Sequence, residues 1–328
     1  MKELQADIKK QEFKRAYLLY GEEEYLKKQY KDRLWQALNP DNNTMNAAVY
    51  TGKDTDPAKV IDLAETMPFF AERRIIFLEE TGFFKNKCEG LPEYMAELPE
   101  YLCMVFVEKE VDKRSRMYKA VNKNGRAVEF KKQTEQTLAR WVLGILKKEN
   151  KKITGQDMEL FLSRTGTDMS RIATELEKLI CYCADEEIIS RDAILDITSE
   201  LLENKIFDMI RAITERNQKK ALDMYYDLLA LKEPPMRILF LIARQYNILL
   251  QIKELAAQGM GQNEIAAKAG LQGFVVRNAL PVARKYSLPG LREAVEELVR
   301  TETEVKSGRI PDTLSVELLI VKYSGGAA

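Results

Sequence analysis

Ala16-Tyr17-Leu18-Leu19-Tyr20-Gly21-Glu22-Glu23-Glu24-Tyr25-Leu26-Lys27-Lys28 is the stretch on which the fold reading turns. Residues 16–21 form an apolar run ending in glycine, the pattern of a short buried strand closed by a turn. Residues 22–37 follow as a helix, with Tyr25, Leu26, Leu34 and Trp35 as its buried candidates. A strand, a glycine and a helix in that order is where a nucleotide-binding α/β protein keeps its phosphate loop, G-x-x-x-x-G-K-[ST]. Lys27 falls on the lysine position, but Leu26 stands for the second glycine and Lys28 for the hydroxyl that binds magnesium. Glu22, Glu23 and Glu24 fill the cradle and would repel phosphate. The scaffold is that of a nucleotide-binding domain without its catalytic loop.

Further strands are expected at Asn46–Tyr50, Arg74–Leu78, Leu102–Val107 and Ala127–Phe130. Helices come between them, at Pro57–Thr66, with proline suited to a first turn, and at Lys113–Asn122, before an Asn124-Gly125 turn. Strands alternating with helices predict a parallel α/β sheet covered on both faces. Leu78-Glu79-Glu80, ending the third strand, resembles an acidic metal-binding strand end, but has no nucleotide to serve.

Beyond residue 133 the texture becomes helical, with no proline between Pro99 and Pro234. Leu138, Trp141, Val142, Ile145 and Leu146 form one stripe. Ile172, Leu176, Leu179 and Ile180 form another, capped by Thr167-Asp168. Ile206, Met209, Ile210 and Ile213 open a second block, which runs through Leu239, Ile242, Tyr246, Leu249, Leu291, Val295 and Leu298 to a final helix, Leu314–Tyr323. The expected class is α/β plus all-α: an α/β domain over 1–133, a small helical domain over 134–200 and a larger helical domain over 201–328.

The chain has 328 residues and no histidine, which excludes Ser-His-Asp and Cys-His hydrolysis and the common histidine metal sites. Cys181-Tyr182-Cys183 is not a zinc spacing, and Cys103 sits in an apolar run as a small hydrophobe. No metal and no cofactor is expected. Lysine plus arginine and aspartate plus glutamate balance at 51 each, so net charge points to no partner. The basic stretch 109–132, nine bases against three acids, is either a solvated face or a phosphate-facing surface. The longest apolar run, Tyr101–Val107, is far short of the ~20 residues that span a bilayer. The N-terminus has no apolar signal core, so a cytoplasmic protein without membrane contact is expected.

Two other stretches carry functional readings. Glu264 to Arg277 has helix-turn-helix spacing at Ala266, Gly270 and Val276, offering Arg277, Asn278 and Arg284 to DNA. Against that reading, Phe274-Val275-Val276 is too apolar for a recognition helix, and Pro281 is expected to interrupt it within two turns. The other is Met67-Pro68-Phe69-Phe70-Ala71-Glu72-Arg73-Arg74. Proline ends the preceding helix at a corner, and Glu72, Arg73 and Arg74 are charges expected to seek water. Neighbours in an extended segment point to opposite faces and a corner has one core side, so at least one ring should be exposed or cover a loop. Core plug and exposed anchor both stand on residue chemistry.

Taken together, these stretches resemble the delta-subunit family of the bacterial DNA polymerase III clamp loader. Ala16 to Glu23 with Tyr25-Leu26 carries the resemblance, as do Met67 to Arg74 and Val111-Asp112-Lys113-Arg114. Further on come Gly166 to Ile172 with Glu175-Leu176-Glu177-Lys178-Leu179, then Glu233-Pro234-Pro235 and Thr301 to Gly308. They occur in family order over nearly the whole chain. The resemblance implies a degenerate AAA+ domain, a small helical lid and a C-terminal collar joining a five-subunit ring. It implies no intrinsic enzyme activity within the polymerase holoenzyme, and a part in opening the sliding clamp for loading on primed DNA. Expected partners are the clamp, the other loader subunits and primer-template DNA. The clamp-binding residues it implies are Met67, Phe69 and Phe70, with Phe69 a conservative departure from a leucine beside the phenylalanine in relatives. From the basic stretch, Lys113, Arg114 and Arg116 are candidates to face DNA. The rival readings are an ATPase with a divergent nucleotide site and a helix-turn-helix regulator.

Overall fold

The computed structural model describes residues 1–325, which form two compact units, 1–133 and 134–325. In the first, the elements run α1 (Lys2–Lys10), β1 (Ala16–Tyr20), α2 (Glu24–Leu38), β2 (Ala47–Thr51), α3 (Pro57–Glu65) and β3 (Arg74–Glu79). They continue with α4 (Leu91–Tyr94), β4 (Leu102–Glu108), α5 (Arg116–Asn124) and β5 (Arg126–Glu129). The five strands make one parallel sheet in the order β2-β3-β4-β1-β5. Strands β1 and β4 are buried along their whole length, as a sheet covered on both faces requires. Side-chain alternation divides the core. Leu18, Ile76, Leu78, Met104 and Phe106 pack with Val60 and Ala64 of α3 and Met117 and Val121 of α5. Tyr17, Leu19, Phe77, Val105 and Phe130 pack with Leu4 of α1 and Tyr30 and Leu34 of α2.

Four details depart from the sequence expectations. Helix α1 is additional; its single turn-spaced apolar pair in a run of charges gives little periodicity, and Asp7 anchors it by bonds from Arg126 (2.7 Å) and the Tyr17 hydroxyl (3.1 Å). Helix α4 is also additional. Helix α5 starts at Arg116, because Ser115 caps it through the Tyr118 N–H, leaving Lys113 and Arg114 in the preceding turn. Tyr25, Leu26 and Trp35 are only half-buried, and the inward face of α2 is Lys27, Tyr30, Leu34 and Leu38.

The second unit contains α6 (Glu135–Lys148), α7 (Gly155–Thr165), α8 (Met169–Tyr182), α9 (Arg191–Ile197), α10 (Leu202–Thr214) and α11 (Gln218–Ala230). The long α12 (Pro235–Ala257) follows, then α13 (Gln262–Ala269), α14 (Gly273–Lys285), α15 (Leu288–Lys306) and α16 (Asp312–Ser324). Asp168 caps α8 by accepting from the Arg171 N–H, as expected. One apolar core runs from Ile206 to Ile320 and includes the positions named for the second helical block up to Leu298 except Val295, which, like Tyr323, packs against it half-buried, whereas Leu314 at the start of the final helix is exposed. Pro281 does not interrupt its helix: α14 continues to Lys285. Proline removes one hydrogen bond, but Val276, Ala279, Leu280, Val282 and Ala283 are all buried, and that packing outweighs the local cost of about 3 kcal/mol. Burial also pushes the Cys103 thiol up to about 12, so it stays protonated in the core.

Gly21 closes the turn after β1 with φ +121°, and a Cβ there would sit 2.4 Å from the Phe130 carbonyl oxygen. Gly21→Ala should therefore cost about 3 kcal/mol through strain and steric overlap. The check is urea unfolding of the full chain in a Trp141→Phe background, which leaves Trp35 as the reporter of the first unit; a loss below about 1 kcal/mol would contradict the close approach.

Candidate partner-binding corner

The place where a phosphate loop would bind nucleotide is occupied by the protein itself. Lys27 is 2% exposed, and its ammonium donates to the carbonyls of Gly21 (3.2 Å) and Glu108 (3.2 Å) and to the Glu24 carboxylate (3.0 Å). Glu80 lies 3.9 Å from the same ammonium. The Glu23 N–H donates to the Phe130 carbonyl, so the loop backbone points into the sheet end and forms no anion cradle. Glu79, half of the acidic strand end, is held on both oxygens by Lys31 at 3.0 and 3.1 Å. Glu108, ending β4, accepts from the Thr81 N–H and hydroxyl and from the Gly82 N–H. Burial lifts its carboxyl above the usual glutamate range, and the Thr81 and Gly82 hydrogen bonds pull it part of the way back. Lys27, Glu79 and Glu108, which could have served nucleotide chemistry at this end of the sheet, are thus each bonded to another part of the chain.

The corner between α3 and β3 has the opposite character. Met67 is 74% exposed, Phe69 56% and Phe70 94%, so of core plug and anchor the geometry is that of an anchor. The backbone beneath these side chains is fixed by two buried polar residues. Asn46, 3% exposed, accepts from the Phe69 N–H (2.6 Å) and donates to the Phe69 carbonyl (2.8 Å). Arg74, 6% exposed, donates to the carbonyls of Thr66 (2.6 Å) and Met67 (3.0 Å), with a longer bond to that of Met45 (3.4 Å). The expectation that Arg74 seeks water is thus wrong. It opens β3 buried, because a planar guanidinium satisfies several loop carbonyls that have no strand or helix partner. Arg73, by contrast, is half-buried, its guanidinium over the Phe13 ring at 5.1 Å.

Extended alternation also fails at the rings. Phe70 has φ +48°, a left-handed conformation costly for a bulky residue. That reversal brings Phe69 and Phe70 together, centroids 4.5 Å apart and rings crossed at 82°. The edge-to-face pair is a preferred aromatic arrangement. The result is a double-aromatic knob on a loop already tied down, so binding it would cost little ordering entropy.

Of the basic candidates, Lys113, Arg114 and Arg116 are all exposed, and each has a local acid partner: Glu129 at 3.0 Å, Asp112 at 3.0 Å and Glu93 respectively. In the second unit, Arg277 of the helix-turn-helix reading binds Glu135 at 3.1 Å, and Val276 is fully buried. Asn46 and the anchoring role of Arg74 escaped the sequence reading. The hint available was an amide, able to donate and accept, at the head of the uncharged strand expected at Asn46–Tyr50.

The first unit is thus a parallel α/β sheet whose phosphate-loop position is taken by its own lysine and whose α3–β3 corner displays an exposed aromatic pair. Residues 17–131 match the sequence profile of the DNA polymerase III delta subunit, and residues 203–323 that of its C-terminal domain. The chain is 29% identical to DNA polymerase III subunit delta of Bacillus subtilis, over 96% of this chain and 94% of the relative. It is 21% identical to a probable DNA polymerase III subunit delta of Aquifex aeolicus, over 79% and 76%. The solved Bacillus subtilis DNA clamp loader delta protein superposes with a TM-score of 0.68 at 28% identity, covering 98% of both chains. The chain belongs to the DNA polymerase III delta-subunit family.

Asn46→Ala should leave the Phe69 N–H and carbonyl without their partner, destabilising the first unit by roughly 1–3 kcal/mol. The Phe69 amide should then exchange with deuterium much faster than in the parent; unchanged exchange would mean that Asn46 does not hold the corner.

Proposed function

We propose that this chain is a non-ATPase subunit of the replicative clamp loader, which binds the sliding clamp through Met67, Phe69 and Phe70 and helps open it for loading on primed DNA. The observation that carries this reading is a 94% exposed phenylalanine on a loop held by hydrogen bonds to two buried side chains, Asn46 and Arg74. Exposing two packed aromatic rings forgoes burial worth about 1.5–3 kcal/mol each, which a pocket on a partner would recover. The filled site around Lys27 supports a role without nucleotide hydrolysis, leaving ATP chemistry to neighbouring subunits. The chain acts by differential affinity: preferring the distorted clamp interface over the closed one shifts the ring toward opening.

In this reading, residues 1–133 form a degenerate AAA+ domain carrying the clamp-binding element. Residues 134–200 form a lid, and residues 201–328 the collar that joins the other loader subunits. The protein works in the cytoplasm as a member of the polymerase holoenzyme. Among the described residues no helix is long and apolar enough to cross a membrane. Lys113, Arg114 and Arg116 would meet primer-template DNA by exchanging their exposed carboxylate partners for phosphates, an exchange of low cost because surface pairs contribute about 0–1 kcal/mol.

Pull-down of the cognate sliding clamp by the full chain tests the proposal. The Phe69→Ala, Phe70→Ala double variant should lose at least about 3 kcal/mol of binding, more than a hundredfold in affinity, with an unchanged far-UV spectrum. Clamp binding that survives the double substitution overturns the assignment. Micromolar ATP binding by the isolated chain would favour the ATPase reading, and duplex binding that needs Arg277 the regulator.

A further inference from the structure

The corner is continuous with the open edge of the sheet. Strand β2 is an end strand, paired only with β3. Its register is bracketed by the Ile75 N–H donating to the Asn46 carbonyl (2.8 Å) and the Gly52 N–H donating to the Glu79 carbonyl (2.9 Å). In a parallel ladder this assigns the backbone groups of Asn46, Ala48, Tyr50 and Gly52 to β3. The N–H and C=O groups of Ala47, Val49 and Thr51 therefore point outward, and among the described residues no hydrogen bond reaches them.

Sheet edges are ordinarily protected by charge, proline, a bulge or a covering element. The opposite edge has such protection: β5 is only four residues long, and its Arg126 is held by Asp7 and Glu3 of α1. At β2 the protection is missing. No charged residue and no proline occurs from Asn42 to Gly52, and Met45 and Val49 are 64% and 52% exposed. This edge also adjoins the aromatic knob, because Asn46, immediately before β2, holds Phe69, and Arg74 reaches the Met45 carbonyl.

We infer that the free edge of β2 pairs with an extended segment of the same partner that receives Phe69 and Phe70, adding a strand to the sheet. A row of alternating backbone donors and acceptors is matched by one chemistry, another extended backbone, and the flanking Met45 and Val49 select an uncharged segment with apolar side chains. This inference rests on the proposed function for the identity of the partner. The knob supplies the anchor and the edge fixes the orientation of what is anchored.

The test is amide hydrogen exchange on the full chain, alone and with the cognate sliding clamp, together with clamp affinity of Val49→Pro and Val49→Lys. The amides of Ala47, Val49 and Thr51 should exchange fast in the free chain and slow at least about tenfold in the complex. Val49→Pro removes an outward N–H without removing a bond to β3, and should weaken binding about three- to tenfold. If that variant fails to fold, Val49→Lys, which keeps the ladder and places a charge on the edge, decides by the same loss of affinity. If the clamp binds and the Phe69, Phe70 double variant abolishes binding while the three amides stay unprotected, the edge inference is overturned and the functional reading stands. Protection that grows with concentration of the chain alone assigns the edge to a second copy and overturns it too. If the unaltered chain does not bind the clamp, both readings fall together.

Discussion

Two buried polar side chains, the Asn46 amide and the Arg74 guanidinium, hold the backbone on which the exposed part of the first unit depends. A loop between a helix and a parallel strand leaves carbonyls that neither element can satisfy, and water would ordinarily take them. Here one planar cation takes two of them at 3.0 Å or less, and one amide closes both backbone groups of Phe69. Unpaired buried polar groups cost about 1–3 kcal/mol each, so this small set of bonds is enough to hold Phe70 in a backbone conformation that its side chain disfavours. Without these bonds Met67, Phe69 and Phe70 would be free to collapse onto the nearest apolar surface.

The two ends of the third strand follow one logic. Arg74 at its start and the Glu79-Glu80 pair at its end are charges at the margins of a buried run, and each is committed to a partner within the unit. At the carboxyl end of the sheet, where an α/β protein ordinarily leaves backbone groups and charges free for a ligand, Lys27, Lys31 and Thr81 have used them. The exposed apolar side chains and the unpaired backbone edge lie instead at the start of β3 and along β2.

Much of this was legible from residues. The five strands, the parallel class and the dismantled phosphate loop follow from apolar runs, glycine positions and three consecutive glutamates. Helices α8, α12 and α15 follow from apolar spacing. What escaped were features set by tertiary contacts. Lys27 reads as the leftover lysine of a phosphate loop until the carbonyls of Gly21 and Glu108 are brought to it from the ends of two strands. Arg74 reads as solvated until the loop folds over it. Pro281 reads as a helix break until a buried face carries α14 past it. At the corner, alternation placed the two rings on opposite sides, and only the left-handed Phe70 backbone puts them side by side. The distinction between plug and anchor was invisible for the same reason: apolar content does not encode which side of a corner is wet.

The occupied pocket at Lys27 also determines what the first unit can sense. A nucleotide-binding domain with an open cradle takes different shapes with triphosphate, diphosphate or nothing bound, and so keeps a record of its last turnover. Here the ammonium at the loop's lysine position is already fastened to Gly21 and Glu108 of the same chain. In the proposed role such a unit would carry no clock of its own. In that role, timing would then come mechanically from outside, from whatever moves the unit bodily toward or away from its partner, with the aromatic pair exposed from the start.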